Sequence, residues 1–381
     1  MNVPSSLEHP LPAGMRDLLP EEARSRRAIA RRALARFALF GYETVTPPAF
    51  EFADVLERGL GTLDPADVLR FVEPESGEVA ALRPDMTPQI ARMIATRLRD
   101  RPPPFRLSYA GTVLRRRSGR ARKSRQIAQV GVELAGLGDV AGDLEALEVA
   151  CSSLAATGLA RFTVDLGSSE IVRALVGDLA PAGLMQALAM KDEVALRDAA
   201  AGSAVPIDVL CRLARLAGGR DAIAEARGVV RGTAAEGPVD RLGRLFDAAA
   251  ARGLPGDLSV DLAEVRGFAY YTGMIFHLFA PGPGEAIGAG GRYDELLARF
   301  GAPMPAVGFA LDLDNLAWAL RAAGVAEHEE ERIVVVGPAD DPRLAALRAK
   351  GVTAVAAATR EEAEAYRARW GYSSVLAGEE G

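Results

Sequence analysis

The chain has 381 residues, 49% hydrophobic and 25% charged, with a formal net charge of −6, which is ordinary globular usage and long enough for two or three domains around a large core. The start, Met1-Asn-Val-Pro-Ser-Ser-Leu-Glu-His, carries no basic segment leading into an apolar one, and no run of about 18 apolar residues occurs, so export and membrane insertion are not expected and a cytoplasmic location is. Cys151 and Cys211 stand far apart in apolar helical contexts and read as buried free thiols, and His9, His277 and His328 are scattered, so neither a disulfide framework nor a metal or cofactor site is expected.

An irregular arm, Leu11-Pro-Ala-Gly-Met-Arg-Asp-Leu-Leu-Pro, leads into residues 21–40, where Ile29, Leu34, Phe37 and Phe40 recur at helical spacing and Gly41 supplies a C-cap. Tyr42-Glu-Thr-Val-Thr reads as a strand stopped by Pro47 and Pro48. Arg106-Leu-Ser-Tyr-Ala and Ile127-Ala-Gln-Val-Gly-Val-Glu-Leu read as two strands flanking a loop, followed by a helix over 143–156 and a strand at Phe162-Thr-Val-Asp-Leu-Gly. From 169 to 257 strand signals vanish, and Gly177, Pro181, Pro206, Gly218-Gly219 and Gly237-Pro238 punctuate helical pieces. Strand patterns return at Leu258-Ser-Val-Asp-Leu-Ala and over 270–279, and Gly290-Gly291 in the glycine-rich stretch 282–291 reads as a tight sheet turn rather than a phosphate loop. A helix over 316–323, a charged linker Glu327-His-Glu-Glu-Glu-Arg and an alternating strand–helix tail follow. The expected organisation is an α+β domain from 1–168 and 258–326, a helical insertion over 169–257 and a small α/β domain over 331–381.

Charge is unevenly placed. Residues 83–125 hold thirteen Lys or Arg against Asp85 and Asp100, densest at Arg115, Arg116, Arg117, Arg120, Arg122, Lys123 and Arg125. Interspersed Ser118, Gly119 and Ser124 suit a loop that meets phosphate, or one that is simply solvated; with no aromatic residue interleaved, a base-stacking surface has little support.

Five segments carry chemistry in a telling order: Ala81-Leu-Arg83-Pro-Asp85-Met-Thr87; Arg115-Arg-Arg-Ser with Gln129-Val-Gly-Val-Glu133; Arg266-Gly-Phe-Ala-Tyr270-Tyr271-Thr272; Gly290-Gly-Arg292-Tyr293-Asp294; and Gly308-Phe-Ala-Leu-Asp312-Leu-Asp314-Asn315. In this order and spacing they resemble the histidyl-tRNA synthetases. The resemblance implies a class II synthetase domain, an antiparallel sheet backed by helices, with the first helix and strand in a homodimer interface. The last motif departs from the family pattern. Where synthetases have a glycine and an ATP-binding arginine, this chain has Asp312 and Asn315, replacing a planar cation by a neutral amide and adding an anion. Where they continue from the second-motif arginine as Arg-x-Glu-Arg-Pro, Arg115 is followed by Arg116, Arg117 and Ser118.

The amino-acid side of the family's pocket persists. The resemblance assigns Asp85, Thr87 and Gln129 to the α-amino group, Glu133 and Tyr271 to the imidazole, and Arg266 to the carboxylate, with Arg115 and Tyr270 lining the same site. Asp85 stands where the synthetases usually have glutamate. Independently of any family, a zwitterion needs an anion for its ammonium and a cation for its carboxylate, and an imidazole needs an acceptor that fixes its tautomer.

A retained amino-acid pocket without nucleotide grips resembles the regulatory subunits of ATP phosphoribosyltransferase, synthetase paralogues in histidine biosynthesis. It implies a non-catalytic protein that binds L-histidine as feedback inhibitor and pairs with, and activates, a short catalytic subunit. The tail is about half the length of a synthetase anticodon-binding domain, and from residue 332 on seven basic residues meet seven acidic ones, so tRNA is not an expected partner. A divergent synthetase or an RNA-binding paralogue are the alternatives.

Overall fold

The computed structural model describes residues 11–60, 68–115, 124–177, 180–265, 271–325 and 331–377. Two compact units are present, one of Met1–Asp17 and Arg26–Val325, the other of Leu18–Ser25 and Ala326–Gly381.

Helix α1 (Pro20–Leu39) begins with proline, whose missing N–H costs nothing at a helix start, and sets Glu21 and Glu22 in the first turn and Arg36 in the last, matching the helix dipole. Its Ile29, Ala33 and Phe37 recur every four residues and are buried in the main core. There follow β1 (Glu43–Thr44), β2 (Phe50–Phe52), α2 (Ala53–Leu60), β3 (Arg70–Val72), β4 (Val79–Leu82), α3 (Thr87–Thr96), β5 (Phe105–Leu114), β6 (Gln126–Ala135), α4 (Asp139–Ala156) and β7 (Thr163–Ser168). A mainly helical stretch comes next: α5 (Ser169–Val176), α6 (Leu184–Met190), α7 (Glu193–Ala200), α8 (Ile207–Arg215), β8 (Ala217–Gly218), α9 (Arg220–Val229) and α10 (Glu236–Arg252). The larger unit closes with β9 (Asp257–Asp261), β10 (Met274–Phe279), β11 (Gly288–Arg292), β12 (Ala306–Asp312) and α11 (Leu313–Ala322).

Nine strands form one sheet in the order β1-β5-β6-β12-β11-β10-β7-β9-β8, antiparallel except for the pairs β1–β5 and β7–β9. The α+β class predicted from the sequence is the observed one. Strand alternation on β6 decides what the two faces of the sheet do. Val130, Val132 and Leu134 are buried with Ala146, Leu147, Ala150 and Leu154 of α4 in the main core, and the intervening Gln129, Gly131 and Glu133 point the other way, into a cleft.

Three details differ from the sequence reading. A two-residue strand, β8, lies within the helical stretch and pairs with β9, Ala217 opposite Asp261; it is held by backbone bonds alone and leaves no side-chain pattern. Gly290 and Gly291 are in the middle of β11 rather than at a turn. A Cβ on Gly290 would meet the Phe309 side chain at 2.5 Å and the Phe276 ring at 2.7 Å, and one on Gly291 the Tyr271 ring at 2.7 Å, so close packing rather than chain reversal requires glycine there. A separate three-stranded sheet, β2-β4-β3, also goes unannounced by its sequence.

In the smaller unit, β13 (Arg332–Val336), α12 (Pro342–Ala349), β14 (Thr353–Ala357), α13 (Arg360–Trp370) and β15 (Ser374–Leu376) alternate as the tail's pattern predicts. Its three strands are parallel, in the order β14-β13-β15. Ile333 and Val335 pack with Leu344 of α12, while Val334 packs with Ala363 of α13 and Tyr372, so both faces are covered.

Candidate functional site

The cleft is floored by one face of β5, β6, β12 and β11. In register, Gln129 lies opposite Gly111 of β5 and Asp312 of β12, Gly131 opposite Tyr109 and Ala310, and Glu133 opposite Leu107 and Gly308. The elements after β4 and before β10 bring the remaining side chains over this floor.

Asp85 accepts from the Thr87 backbone N–H at 3.2 Å, a turn that starts α3, and lies 3.4 Å from Nη2 of Arg115 at the end of β5. Arg115 Nε donates to the Pro84 carbonyl, which anchors the same turn. Thr87 Oγ1 donates to Glu133 Oε1 at 2.6 Å. Glu133 is 3% exposed, and its second oxygen, Oε2, accepts from the hydroxyl of Tyr293. Burial pushes the Glu133 carboxyl well above the usual carboxylate range and the nearby charge of Asp85 adds to this, while hydroxyl donation from Thr87 and Tyr109 pulls it back.

Glycine makes this cluster sterically possible. A Cβ on Gly308 would run into Glu133 Oε2 and lie 2.7 Å from the Tyr293 hydroxyl, and one on Gly131 would lie 2.6 Å from the Tyr109 hydroxyl. Gln129 Oε1 is buried and, among the described residues, has no hydrogen-bond partner, a polar atom facing a site that a ligand donor would satisfy. Burial first, then the charges of Asp85 and Glu133, hold the Tyr271 phenol above its ordinary range, with Arg115 acting in the opposite direction. The Tyr271 carbonyl accepts from Ser169 Oγ at 2.9 Å and Arg173 Nη2 at 3.1 Å, fixing the entry to β10 from α5.

Six of the eight residues expected at the site, Asp85, Thr87, Arg115, Gln129, Glu133 and Tyr271, therefore stand on one cleft; Arg266 and Tyr270 lie outside the described residues, as does most of the basic loop, 116–123. Sequence reasoning missed Tyr109 and Tyr293 as partners of Glu133. In the structure Tyr293 follows Arg292, whose guanidinium is buried at 2.6 Å from Asp143 and 3.0 Å from Asp294, so the strand end that presents Tyr293 is clamped. Burial pushes the Asp143 carboxyl up to about 6 despite the opposing charge of Arg292. Away from the cleft residues, Asp165, Asp261 and Glu264 come together, with Lys191 Nζ 2.8 Å from Asp261, where it offsets charge, and His277 Nδ1 3.6 Å from Glu264.

The end of β12 does something else. Asp312 is the N-cap of α11, its Oδ1 accepting from the backbone N–H of Asp314 at 2.9 Å and of Asn315 at 3.0 Å. Asn315 is 3% exposed and donates through Nδ2 to the Ala286 carbonyl at 2.9 Å. Asp314 pairs with Arg26 at 2.5 Å and Arg16 at 3.2 Å. The helix terminus that could meet a polyphosphate carries a carboxylate across its donors, and its side chains are engaged within the protein.

Together these features define a class II synthetase-like domain. The histidyl-tRNA synthetase family model matches residues 14–316. The chain is 42% identical over 320 residues to the ATP phosphoribosyltransferase regulatory subunit of Moorella thermoacetica, covering 82% of each chain. It is 45% identical over 329 residues to the protein of that name from an Anaeromyxobacter species, covering 83% of this chain and 94% of the relative. Among solved structures it is similar to an ATP phosphoribosyltransferase regulatory subunit/histidyl-tRNA synthetase from Bacillus halodurans, with 29% identity, a TM-score of 0.80, and coverage of 96% of this chain and 97% of the other. The chain belongs to the histidyl-tRNA synthetase family and, within it, to the ATP phosphoribosyltransferase regulatory subunits. Among the described residues no helix is long and apolar enough to cross a membrane.

Proposed function

We propose that this chain is the non-catalytic, histidine-sensing subunit of a short-form ATP phosphoribosyltransferase, working as a homodimer through its synthetase-like domain. One contrast carries the reading. The acceptors for an amino acid, Asp85, Gln129 and Glu133, face one cleft, whereas the residues at the nucleotide-gripping positions, Asp312 and Asn315, bond inward. In this reading the ammonium of L-histidine lies by Asp85, Thr87 and Gln129, its imidazole donates to Glu133 beside Tyr271, and Arg266, with Tyr270 next to it, receives the carboxylate. Adenylation is lost, because no arginine at Asn315 neutralises the transferring phosphates; such arginines contribute about 10³–10⁵ in rate. The cleft then serves as a sensor, and the catalytic subunit does the chemistry.

Three measurements test this. Calorimetry should give one L-histidine site per chain, and pyrophosphate exchange dependent on histidine should be absent. The short catalytic subunit should be weakly active alone, activated by this chain, and inhibited by histidine only in its presence. Linkage requires that if histidine weakens substrate binding in the complex, phosphoribosyl pyrophosphate and ATP weaken histidine binding by the same factor. Inhibition of the isolated catalytic subunit by histidine, or histidine-dependent exchange by this chain, would refute the reading.

A further inference from the structure

The two oxygens of Glu133 are held separately, Oε1 by Thr87 at 2.6 Å and Oε2 by the Tyr293 hydroxyl. An ionised carboxylate only accepts, so both hydroxyls donate to it. Tyr293 is itself 3% exposed and its backbone N–H is fixed to the Ala306 carbonyl at 2.8 Å, while Gly308 leaves open the space that the phenol and carboxylate share. Neither group can turn away without breaking packed contacts.

We infer that Tyr293 is a positioning residue that keeps Glu133 an anionic acceptor aimed at the ligand's imidazole, and thereby sets how well the pocket retains histidine as the pH falls. This rests on the histidine reading above. The groups that face Glu133 are Asp85 ahead of α3, Thr87 at its start, Tyr109 of β5, Tyr271 ahead of β10 and Tyr293 after β11, while β12 presents Gly308 and Arg115 acts on the Tyr271 side; Tyr42 lies in the main core across the sheet, bonded to Glu145, and feels the charge of Glu133 only from there. Burial and the charge of Asp85 oppose ionisation of Glu133, donation from Thr87 and Tyr109 favours it, and the Tyr293 hydroxyl, donating to Oε2, acts in the same direction as they do. Removing one donor shifts the titration of Glu133 upward, so affinity is lost from the acid side first.

The experiment is calorimetric titration of L-histidine into the full chain and into Tyr293→Phe between about pH 5.5 and about pH 9, a span that brackets the imidazole's own titration near 6.5. That ligand titration is common to both proteins and divides out of the ratio of their dissociation constants. The ratio should be on the order of tenfold at the acid end, the effect of losing a hydrogen bond to a charged group, and should close toward unity at the alkaline end. A ratio that is flat with pH, whether at unity or above it, overturns the inference. Site-specific replacement of Tyr293 by 3-fluorotyrosine keeps the ring and gives a stronger donor, so it should tighten binding at the acid end; weakening there would overturn the inference as well. This variant carries the test if Tyr293→Phe does not fold. Failure of the unaltered chain to bind histidine at any pH would sink the functional reading and this inference together, and is recognised from that protein alone.

Discussion

Replacing Glu133 by glutamine removes charge at nearly constant shape, and the local geometry says what should survive. A hydroxyl both donates and accepts, so the amide oxygen can keep one of the two hydroxyl contacts, to Thr87 at 2.6 Å or to Tyr293, and the amide NH₂ can donate to the other. What disappears is the charged acceptor for a ligand N–H, worth about 1.5–3 kcal/mol, or roughly 10- to 150-fold in Kd. At a ligand concentration of about a hundred times the original Kd, the stabilisation of about 2.7 kcal/mol would fall to about 0.9 kcal/mol for a thirtyfold weaker site. The ligand-free protein should respond in the opposite sense. Burial holds the folded-state Glu133 carboxyl above its unfolded value. As pH rises through the unfolded value near 4.3, the unfolded chain gains by ionising before the folded one does, so this group destabilises the native chain at neutral pH. Glu133→Gln escapes that penalty. Scanning calorimetry with and without histidine should therefore show a higher ligand-free melting temperature at pH 7, a difference that vanishes below about pH 4, and a much smaller shift with ligand. A variant that melts lower without ligand, or keeps the full ligand shift, would refute the reasoning.

Three further outcomes follow from the geometry. Gly308→Ala places a methyl group against Glu133 Oε2 and the Tyr293 hydroxyl; it should cost about 1–3 kcal/mol in denaturant unfolding and weaken histidine binding more than any alanine substitution on the solvent face. Arg292→Ala strands Asp143 in a buried setting and should cost about 3–5 kcal/mol. The loss should be greater at pH 8 than at pH 5, because Asp143, already pushed up to about 6, escapes its charge by protonation in acid. Asp312→Ala removes the cap of α11 and should lower stability by about 0.5–2 kcal/mol while leaving histidine binding, read by calorimetry, unchanged.

The long strands β5 and β6 and helix α4 were legible because strand-forming runs and helical spacing are written in apolar side chains, β6 being buried along nearly its whole length. The residues that line the cleft from β6, Gln129 and Glu133, followed from strand alternation together with the family motifs. The link between Glu133 and Tyr293 was not legible, since nothing in a sequence pairs residues 160 positions apart across one intervening strand, β12. Gly290 and Gly291 misled in a physical way: glycine marks either a turn or a close approach, and here the approach of Phe276, Phe309 and Tyr271 is the reason. The small strand β8 and the β2-β4-β3 sheet rest mainly on backbone pairing, and their residues have mixed exposure that no period describes.

The internal engagement at the start of α11 works as a ratchet. Restoring arginine at Asn315 alone would drive a guanidinium into a site that is 3% exposed, break the bond to Ala286 and leave the Asp312 carboxylate still seated on the helix terminus. Removing Asp312 alone would uncap the helix before any nucleotide arrived to take its place. Each single change is unfavourable until the other has been made, so the residues at 312 and 315 are coupled through the stability of this one helix.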